Sequence, residues 1–343
     1  MSSTVTLVPS GHTFNVEKDE SVLDAALREG IALPYGCRNG TCLSCRGKVL
    51  SGEFDYRGEM PKALLAQPSG GGWDLLCQAL PKGNLTVEVD AISPASAIEI
   101  RTLPCRVIEK KLAAHDVIVL TLKLPEGERL QYLPGQYVDI RMRDGRRRSF
   151  SLANPPQPDD RLTLHIRHLP DGAFSSYVFN HLKEKALLRI RGPLGGFFLR
   201  DDPERGLIFL AGGTGFAPVK SIIEAALKHL DQREMHLYWG VRAKRDLYMH
   251  ELALDWAHSH SNFHYVPVLS EPRPEDHWQQ RVGFVHQAVL DDFPDLSRYQ
   301  VYSSGPPVMI DAAWATFAAQ GLEPAHHFSD AFEFAYETGA DTI

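Results

Sequence analysis

The sequence lacks any apolar run approaching the roughly 20 residues that a membrane-spanning helix requires. Its first residues, MSSTVTLVPSGHTFNVEKDE, also lack a basic segment followed by an apolar one. These absences predict a cytoplasmic protein with no spanning helix, no secretory leader and no membrane association. Basic charge is short as well: a formal net charge of -7 argues against nucleic acid, because phosphate binding needs clustered Lys and Arg. The one basic run is Arg146-Arg147-Arg148. Cysteine is scarce and odd in number, five in all, which excludes a fully paired disulfide framework and favours metal binding in a reducing compartment. The remaining composition, 43% hydrophobic and 23% charged, excludes a disordered or fibrous chain. A length of 343 residues predicts two or three domains, each able to bury its own core.

What is present begins with PYGCRNGTCLSCRGKVLSGE, which holds three of the five cysteines. The spacing is Cys37-x4-Cys42-x2-Cys45, and Cys77 follows 32 positions later in WDLLCQAL. Zinc sites usually offer two separated pairs of close ligands, whereas here three thiols crowd one loop. The pattern fits a 2Fe-2S cluster, in which one loop supplies three thiolates and a distant cysteine the fourth. Cys37, Cys42, Cys45 and Cys77 are the expected metal ligands, with a zinc or structural cysteine cluster as the alternative. Gly36, Gly40 and Gly47 are expected to take positive φ and bring N–H groups close to the sulfurs. Cys105 has no sequence partner and reads as a buried small hydrophobe. STVTLVP and HTFNVE predict a hairpin, SVLDAALREG a helix capped by Ser21 and stopped by Gly30, and NLTVEVD a closing strand. With PYGCRNGTCLSC and LLCQ as the matching residues, residues 1–92 resemble the plant-type ferredoxin domain, which implies a β-grasp fold.

AISPASAIEI reads as a linker. CRVIEKKL, DVIVLTLKL, QYVDIRMR, RSFSLAN and RLTLHIRHL then alternate with a period of two, which predicts an antiparallel β-barrel. DGAFSSYVFNHL places Gly172 before a helix expected to start at Ser175, an anion site in outline. In the last third, GLIFLAGGTGFAPVKSIIEAALKHL reads as strand, glycine turn and amphipathic helix, with Pro218 in the first helical turn. Gly212, Gly213 and Gly215 would allow a tight turn and close approach of a dinucleotide, although Pro218 departs from the usual G-x-G-x-x-G ending. A structural turn without ligand is the alternative. MHLYWGVRAKRDLYMHELALDWA and YQVYSSGPPVMIDAAWATFAAQG repeat the alternation and predict a parallel sheet.

In this order the segments resemble the ferredoxin-NADP reductase superfamily. RSFS, Arg148 to Ser151, is similar to its R-x-Y-S motif with Phe150 in place of Tyr. Gly172 to Ser175 is similar to its G-x-x-S motif, and YLPGQYVDI and RGPLGGFFL to flanking segments. The resemblance implies Arg148 on a pyrophosphate, Phe150 and Ser151 at a flavin ring, and Ser175 near the phosphates. Phe150 lacks the hydroxyl often placed at the ribityl chain. Arg146 and Arg147 are left as a solvated face. Thr214 and Ser304 are implied near a nicotinamide, Ser304 with Gly305 standing where the family carries Cys-Gly-Pro-Pro, and Arg242 near a nucleotide ribose or phosphate. Phe150 and Ser304 are the expected catalytic positions. HHFSDAFEF is similar to the aromatic segment that closes over the flavin in some members, which makes Phe328 and Phe332 candidates.

The implied architecture is a multidomain α+β and α/β chain: a ferredoxin domain at 1–92, an FAD-binding barrel at 101–200, an NAD-binding domain at 204–332 and a tail at 333–343. The implied function is electron transfer from NADH through FAD to the 2Fe-2S cluster and on to a partner protein, an oxidoreductase of class EC 1. The resemblance favours the oxygenase component of a multicomponent system as acceptor, with a deoxysugar dehydrase served by a CDP-6-deoxy-glucoseen reductase as the alternative. A redox-sensing binding protein with slow turnover and a stand-alone flavin reductase are readings of other classes. Arg242, Lys244 and Arg245 leave NADPH open as donor, and Glu29, Glu53, Asp55 and Glu59 would steer a basic partner or simply solvate a face.

Overall fold

The computed structural model describes residues 3–29, 31, 33–35, 38, 40, 43, 45–61, 64, 72–89, 98–142 and 144–332. Cys37, Cys42, Gly30, Gly36, the tail and most of the expected linker lie outside the described residues.

The N-terminal unit opens with the hairpin β1 (Ser3–Val8) and β2 (Thr13–Val16). Helix α1 (Val22–Arg28) follows, where the buried Ser21 Oγ accepts the Asp24 N–H at 3.1 Å and satisfies a donor that the helix start leaves open. Then come β3 (Arg46–Ser51), β4 (Phe54–Tyr56), β5 (Asp74–Leu75), β6 (Ala79–Pro81) and β7 (Leu85–Glu88). The sheet runs β2-β1-β7-β3-β5, with β7 parallel to β1 and antiparallel to β3. Val5, Leu7, Leu75 and Val87 of the strands and Leu23 of the helix are fully buried against one another, the expected β-grasp. Gly40 takes φ +89°, as expected, but Gly47 does not have positive φ. Its requirement is space, because a Cβ there would lie 2.8 Å from Leu76 Cδ1.

The second unit comprises β8 (Arg101–Ala114), β9 (Val117–Lys123), β10 (Tyr137–Arg141), β11 (Arg147–Ser151), β12 (Arg161–Arg167), α2 (Ala173–Asn180) and β13 (Leu187–Leu194). All its pairs are antiparallel in the order β11-β10-β13-β8-β9-β12. The Leu152–Leu164 bridge and the Ala153 N–H donated to Thr163 O at 2.8 Å bring the two edge strands together, so the sheet curls into a barrel and removes its edges. Helix α2 begins at Ala173 with Gly172 as its extended N-cap, and the Ser176 N–H reaches Gly172 O at 2.9 Å. The start expected at Ser175 therefore moves two residues earlier.

The third unit contains β14 (Gly206–Gly212), α3 (Phe216–Lys228), β15 (Met235–Val241), α4 (His250–Ser259), β16 (Phe263–Leu269), β17 (Arg281–Val282), α5 (Val285–Asp292), β18 (Tyr299–Gly305), α6 (Pro307–Ala319) and β19 (His327–Ala331). Its six strands are all parallel, ordered β17-β16-β15-β14-β18-β19. The chain builds outward from β14 in one direction and then in the other, so the switch point lies at the carboxyl ends of β14 and β18. Among the described residues no helix is long and apolar enough to cross a membrane.

Candidate redox centre and nucleotide sites

At the N-terminal unit, Cys45 and Cys77 are each 2% exposed. The Leu76 N–H donates to Cys45 O at 3.0 Å, which sets the two cysteine segments side by side. Gln78 Nε2 lies 3.8 Å from Cys77 Sγ and donates to Arg38 O at 3.0 Å, tying the Cys77 segment to the cysteine loop. Arg38 and Leu43 hold φ of +64° and +57°, conformations that cost free energy and persist where surroundings enforce them. Two buried thiols with an amide donor at one sulfur fit an iron–sulfur group, whose properties depend on such hydrogen bonds. Cys105 is different: burial pushes its thiol up to about 12, and it packs in the barrel core.

This loop touches the barrel directly. The Gly196 N–H donates to Tyr35 O, and a Cβ on Gly196 would stand 2.8 Å from that oxygen. Tyr137 and Leu194 of the barrel pack into the hydrophobic core of the N-terminal unit.

On β11 the side chains alternate. Phe150 packs 5.2 Å from Phe174, beside the start of α2, while Ser151 points to the third unit and donates to Asp330 Oδ2 at 3.4 Å. Arg148 is half-buried, whereas Arg146 is exposed and paired with Asp144. Ser175 accepts the Leu169 N–H and donates to Gly172 O, both at 3.1 Å. Its hydroxyl thus shapes the loop at 169–172, and a Cβ on Gly172 would press on that Oγ at 2.6 Å.

The three glycines after β14 serve different ends. Gly213 alone has a left-handed φ, +55°, and the Trp239 indole donates to its carbonyl at 2.9 Å. A Cβ on Gly212 would strike Met309 Sδ at 2.7 Å, and one on Gly215 would overlap Ser304 O at 2.1 Å. Thr214 is buried in this turn, and Pro218 is the third residue of α3. Ser304 is fully buried and its Oγ has no hydrogen-bond partner among the described residues, which leaves a polar atom suited to a ligand at the switch point. It pairs in register with Asp330. The Phe332 N–H donates to Gly305 O at 2.9 Å. Ser151, Ser304, Gly305, Asp330 and Phe332 therefore meet where barrel and parallel sheet join. Phe328 is not in that group: it stacks on Tyr302 at 4.8 Å and beneath Arg200. Arg242 stands exposed beyond β15 near Glu271.

Sequence reading missed Asp330, which lies 179 positions from its Ser151 partner. It also missed the outer face of β12, where Leu162, Leu164 and Ile166 fill the barrel while His165 and Arg167 face the third unit. Arg167 Nε donates to Asp116 Oδ2 at 2.7 Å, and its Nη1 lies 3.3 Å from where a Gly213 Cβ would be. A guanidinium at the glycine turn would lie within reach of the phosphate oxygens of a bound dinucleotide. Arg167→Ala should raise the KM for NADH about tenfold with kcat within about twofold, and Arg167→Lys should recover part of the loss. An unchanged KM would remove Arg167 from the nucleotide site.

His165, with Nδ1 2.8 Å from Tyr248 Oη, and His327, with Nε2 2.8 Å from Ser303 Oγ, are buried. Burial, aided by Lys220 and Arg46 respectively, lowers each to about 3 from 6.5. The unfolded chain thus binds more protons below pH 6.5, and stability present above that value is lost as pH falls toward 3. Denaturant melts should show the pair costing roughly 2–3 kcal/mol between pH 7.5 and 5.5. The His165→Gln, His327→Gln double variant should lose that share of the acid limb.

These three linked sites define an electron-transfer oxidoreductase with an iron–sulfur module, a flavin barrel and a nicotinamide domain. Residues 5–82 match the 2Fe-2S iron-sulfur cluster binding domain, 104–199 the oxidoreductase FAD-binding domain and 209–314 the oxidoreductase NAD-binding domain. The chain is 42% identical to the CDP-6-deoxy-L-threo-D-glycero-4-hexulose-3-dehydrase reductase of Yersinia pseudotuberculosis, over 97% of this chain and 99% of that one. It is 34% identical to the phenol 2-monooxygenase reductase component of a Pseudomonas species, over 97% and 95%. The solved ferredoxin reductase in carbazole 1,9a-dioxygenase superposes with a TM-score of 0.69 at 27% identity, covering 97% and 99%. The protein belongs to the iron–sulfur flavoprotein reductases of the ferredoxin-NADP reductase superfamily.

Proposed function

We propose that the protein takes electrons from NADH, passes them through FAD to a 2Fe-2S cluster and delivers them singly to a CDP-deoxyhexulose dehydrase. The placement of the barrel carries this reading: it touches the cysteine loop at Gly196–Tyr35 and the nucleotide domain at Ser151–Asp330. A bound flavin would accept the two electrons of one hydride and release them one at a time. The chain's own residues supply positioning. Cys37, Cys42, Cys45 and Cys77 would hold the cluster, Arg148, Phe150, Ser151, Gly172, Ser175 and Phe332 the flavin, and Gly212 to Gly215, Pro218, Arg167, Arg242, Ser304 and Gly305 the dinucleotide. Modules at 1–92, 101–200 and 204–332, followed by a tail at 333–343, fit this division, and the cysteine usage suits a cytoplasmic setting.

Identity of 42% to a dehydrase reductase against 34% to a phenol monooxygenase reductase supports the dehydrase as acceptor. The second reading is an oxygenase component, which the phenol and terephthalate system relatives support. Anaerobic titration with NADH and, separately, NADPH should bleach the flavin and produce the paramagnetic signal of a reduced cluster, with NADH effective at lower concentration. Sustained turnover with each purified candidate acceptor then selects the partner. Flavin bleaching with a cluster that stays oxidised would sink the relay and favour a flavin reductase. Failure to sustain turnover with ferricyanide would favour a sensor.

A further inference from the structure

Beyond the electron-transfer path, the nucleotide domain carries a compact set of nitrogen and oxygen donors at the opposite, amino-terminal rim of its sheet. His236 on β15 and His264 on β16 are direct partners in the parallel register. Adjacent strands lie about 4.8 Å apart, and the two imidazoles stack with centroids 4.6 Å apart at 18°. Glu234, just before β15, places Oε2 2.9 Å from His264 Nε2. One donor atom from each of the three residues falls within 4.8 Å of the others.

We propose that Glu234, His236 and His264 bind a divalent transition ion of the zinc class. Two imidazoles and one carboxylate are donors that Zn2+ accepts, at about 2.0–2.2 Å each, with water completing the tetrahedron. Such bond lengths place ligand atoms about 3.4 Å apart, so the Glu234–His264 pair, at 2.9 Å, would open slightly while His236 closes on them from within 4.8 Å. The arrangement permits this. His264 and Glu234 are 48% and 60% exposed and free to rotate toward a common point. His236 is the fixed member, held against Phe293 at 4.9 Å and near Tyr299 at 6.5 Å. Asp292, close by at the end of α5, is committed to the Tyr238 hydroxyl at 2.7 Å and to Arg281, so the site draws on three side chains and solvent.

The ion would tie β15 to β16 at the second residue of each strand, remote from Gly213 and Ser304 at the carboxyl ends of the strands. Its effect is therefore on the stability of the nucleotide domain. The test is zinc titration by calorimetry of the untagged holoprotein, with iron content and flavin absorbance checked before and after. Wild type should bind one Zn2+ per chain at micromolar concentrations, and unfolding should shift upward by roughly 5 °C at a hundredfold excess over Kd. His264→Ala, at an exposed position, should weaken binding at least about thirtyfold, and Glu234→Gln about fivefold. Both variants should keep wild-type kinetics of flavin reduction by NADH. No uptake by wild type at 100-fold higher zinc, about 100 μM, or equal uptake by His264→Ala, overturns the assignment and leaves the pair as stacked imidazoles.

Discussion

Cys77→Ser should cut NADH-driven reduction of a one-electron protein acceptor at least about a hundredfold, while NADH-driven bleaching of the flavin stays within about twofold. The reason is local. Cys77 is 2% exposed between Leu76 and the barrel-facing loop, and Gln78 directs its amide at the sulfur. A serine oxygen is a harder donor than a thiolate and shorter in reach, so a cluster held through Cys77 would lose the Fe–S bond there and the Gln78 hydrogen bond to its sulfur. Iron and acid-labile sulfide should fall together with delivery to the acceptor. Cys105→Ser is the control: that cysteine lies in the barrel core, its thiol kept protonated by burial, and its replacement should leave iron content unchanged. Full iron content and undiminished delivery in Cys77→Ser would remove Cys77 from the ligand set.

Gly215→Ala is expected to raise the KM for NADH more than about tenfold and to destabilise the nucleotide domain by about 1–3 kcal/mol. The added Cβ would sit 2.1 Å from Ser304 O and 2.4 Å from Ser304 C. Both are backbone atoms of β18 and cannot rotate aside. Relief requires the start of α3 to retreat from β18, which opens the crevice where the nucleotide and the buried Ser304 hydroxyl would meet. Flavin content should be retained, because the barrel is untouched, and chemical reduction by dithionite should still reach the cluster. Gly172→Ala provides the contrast. Its nearest obstacle is the Ser175 hydroxyl at 2.6 Å, a side-chain atom that can turn away, so its effect should be smaller and confined to flavin retention. A wild-type KM in Gly215→Ala would show that the turn tolerates the shift.

Local chemistry made much of this legible. The period of two in DVIVLTLKL and RLTLHIRHL becomes β9 and β12, paired along their whole length, and Ser21 caps the helix that its position announces. The glycine turn after β14 was visible because a strand, a glycine cluster and a helix adjoin in the chain. The assignment of single glycines was less so. Gly47 reads as a φ position in sequence, yet what it avoids is the Leu76 side chain, a neighbour that only folding supplies. Strand β13 went unread because LLRIRGPL carries Gly192-Pro193, a turn signature, although its pairing with β8 and β10 places it inside the barrel sheet. Asp330 and Arg167 carry no local signal at all. Each gains its meaning from a residue of another unit, Ser151 for the one and the Gly213 turn for the other. The helix start shifted from Ser175 to Ala173 because glycine can cap as well as serine, leaving the serine hydroxyl to brace the preceding loop.

The contact between Gly196 and Tyr35, with Tyr137 and Leu194 buried in the core of the neighbouring unit, bears on how such reductases can be recombined. An N-terminal unit exchanged as a cassette would arrive without the barrel residues that complete its interior. A workable chimera therefore has to transplant Tyr137 and the segment Leu194–Gly196 along with the N-terminal unit, so the seam for grafting runs through the barrel.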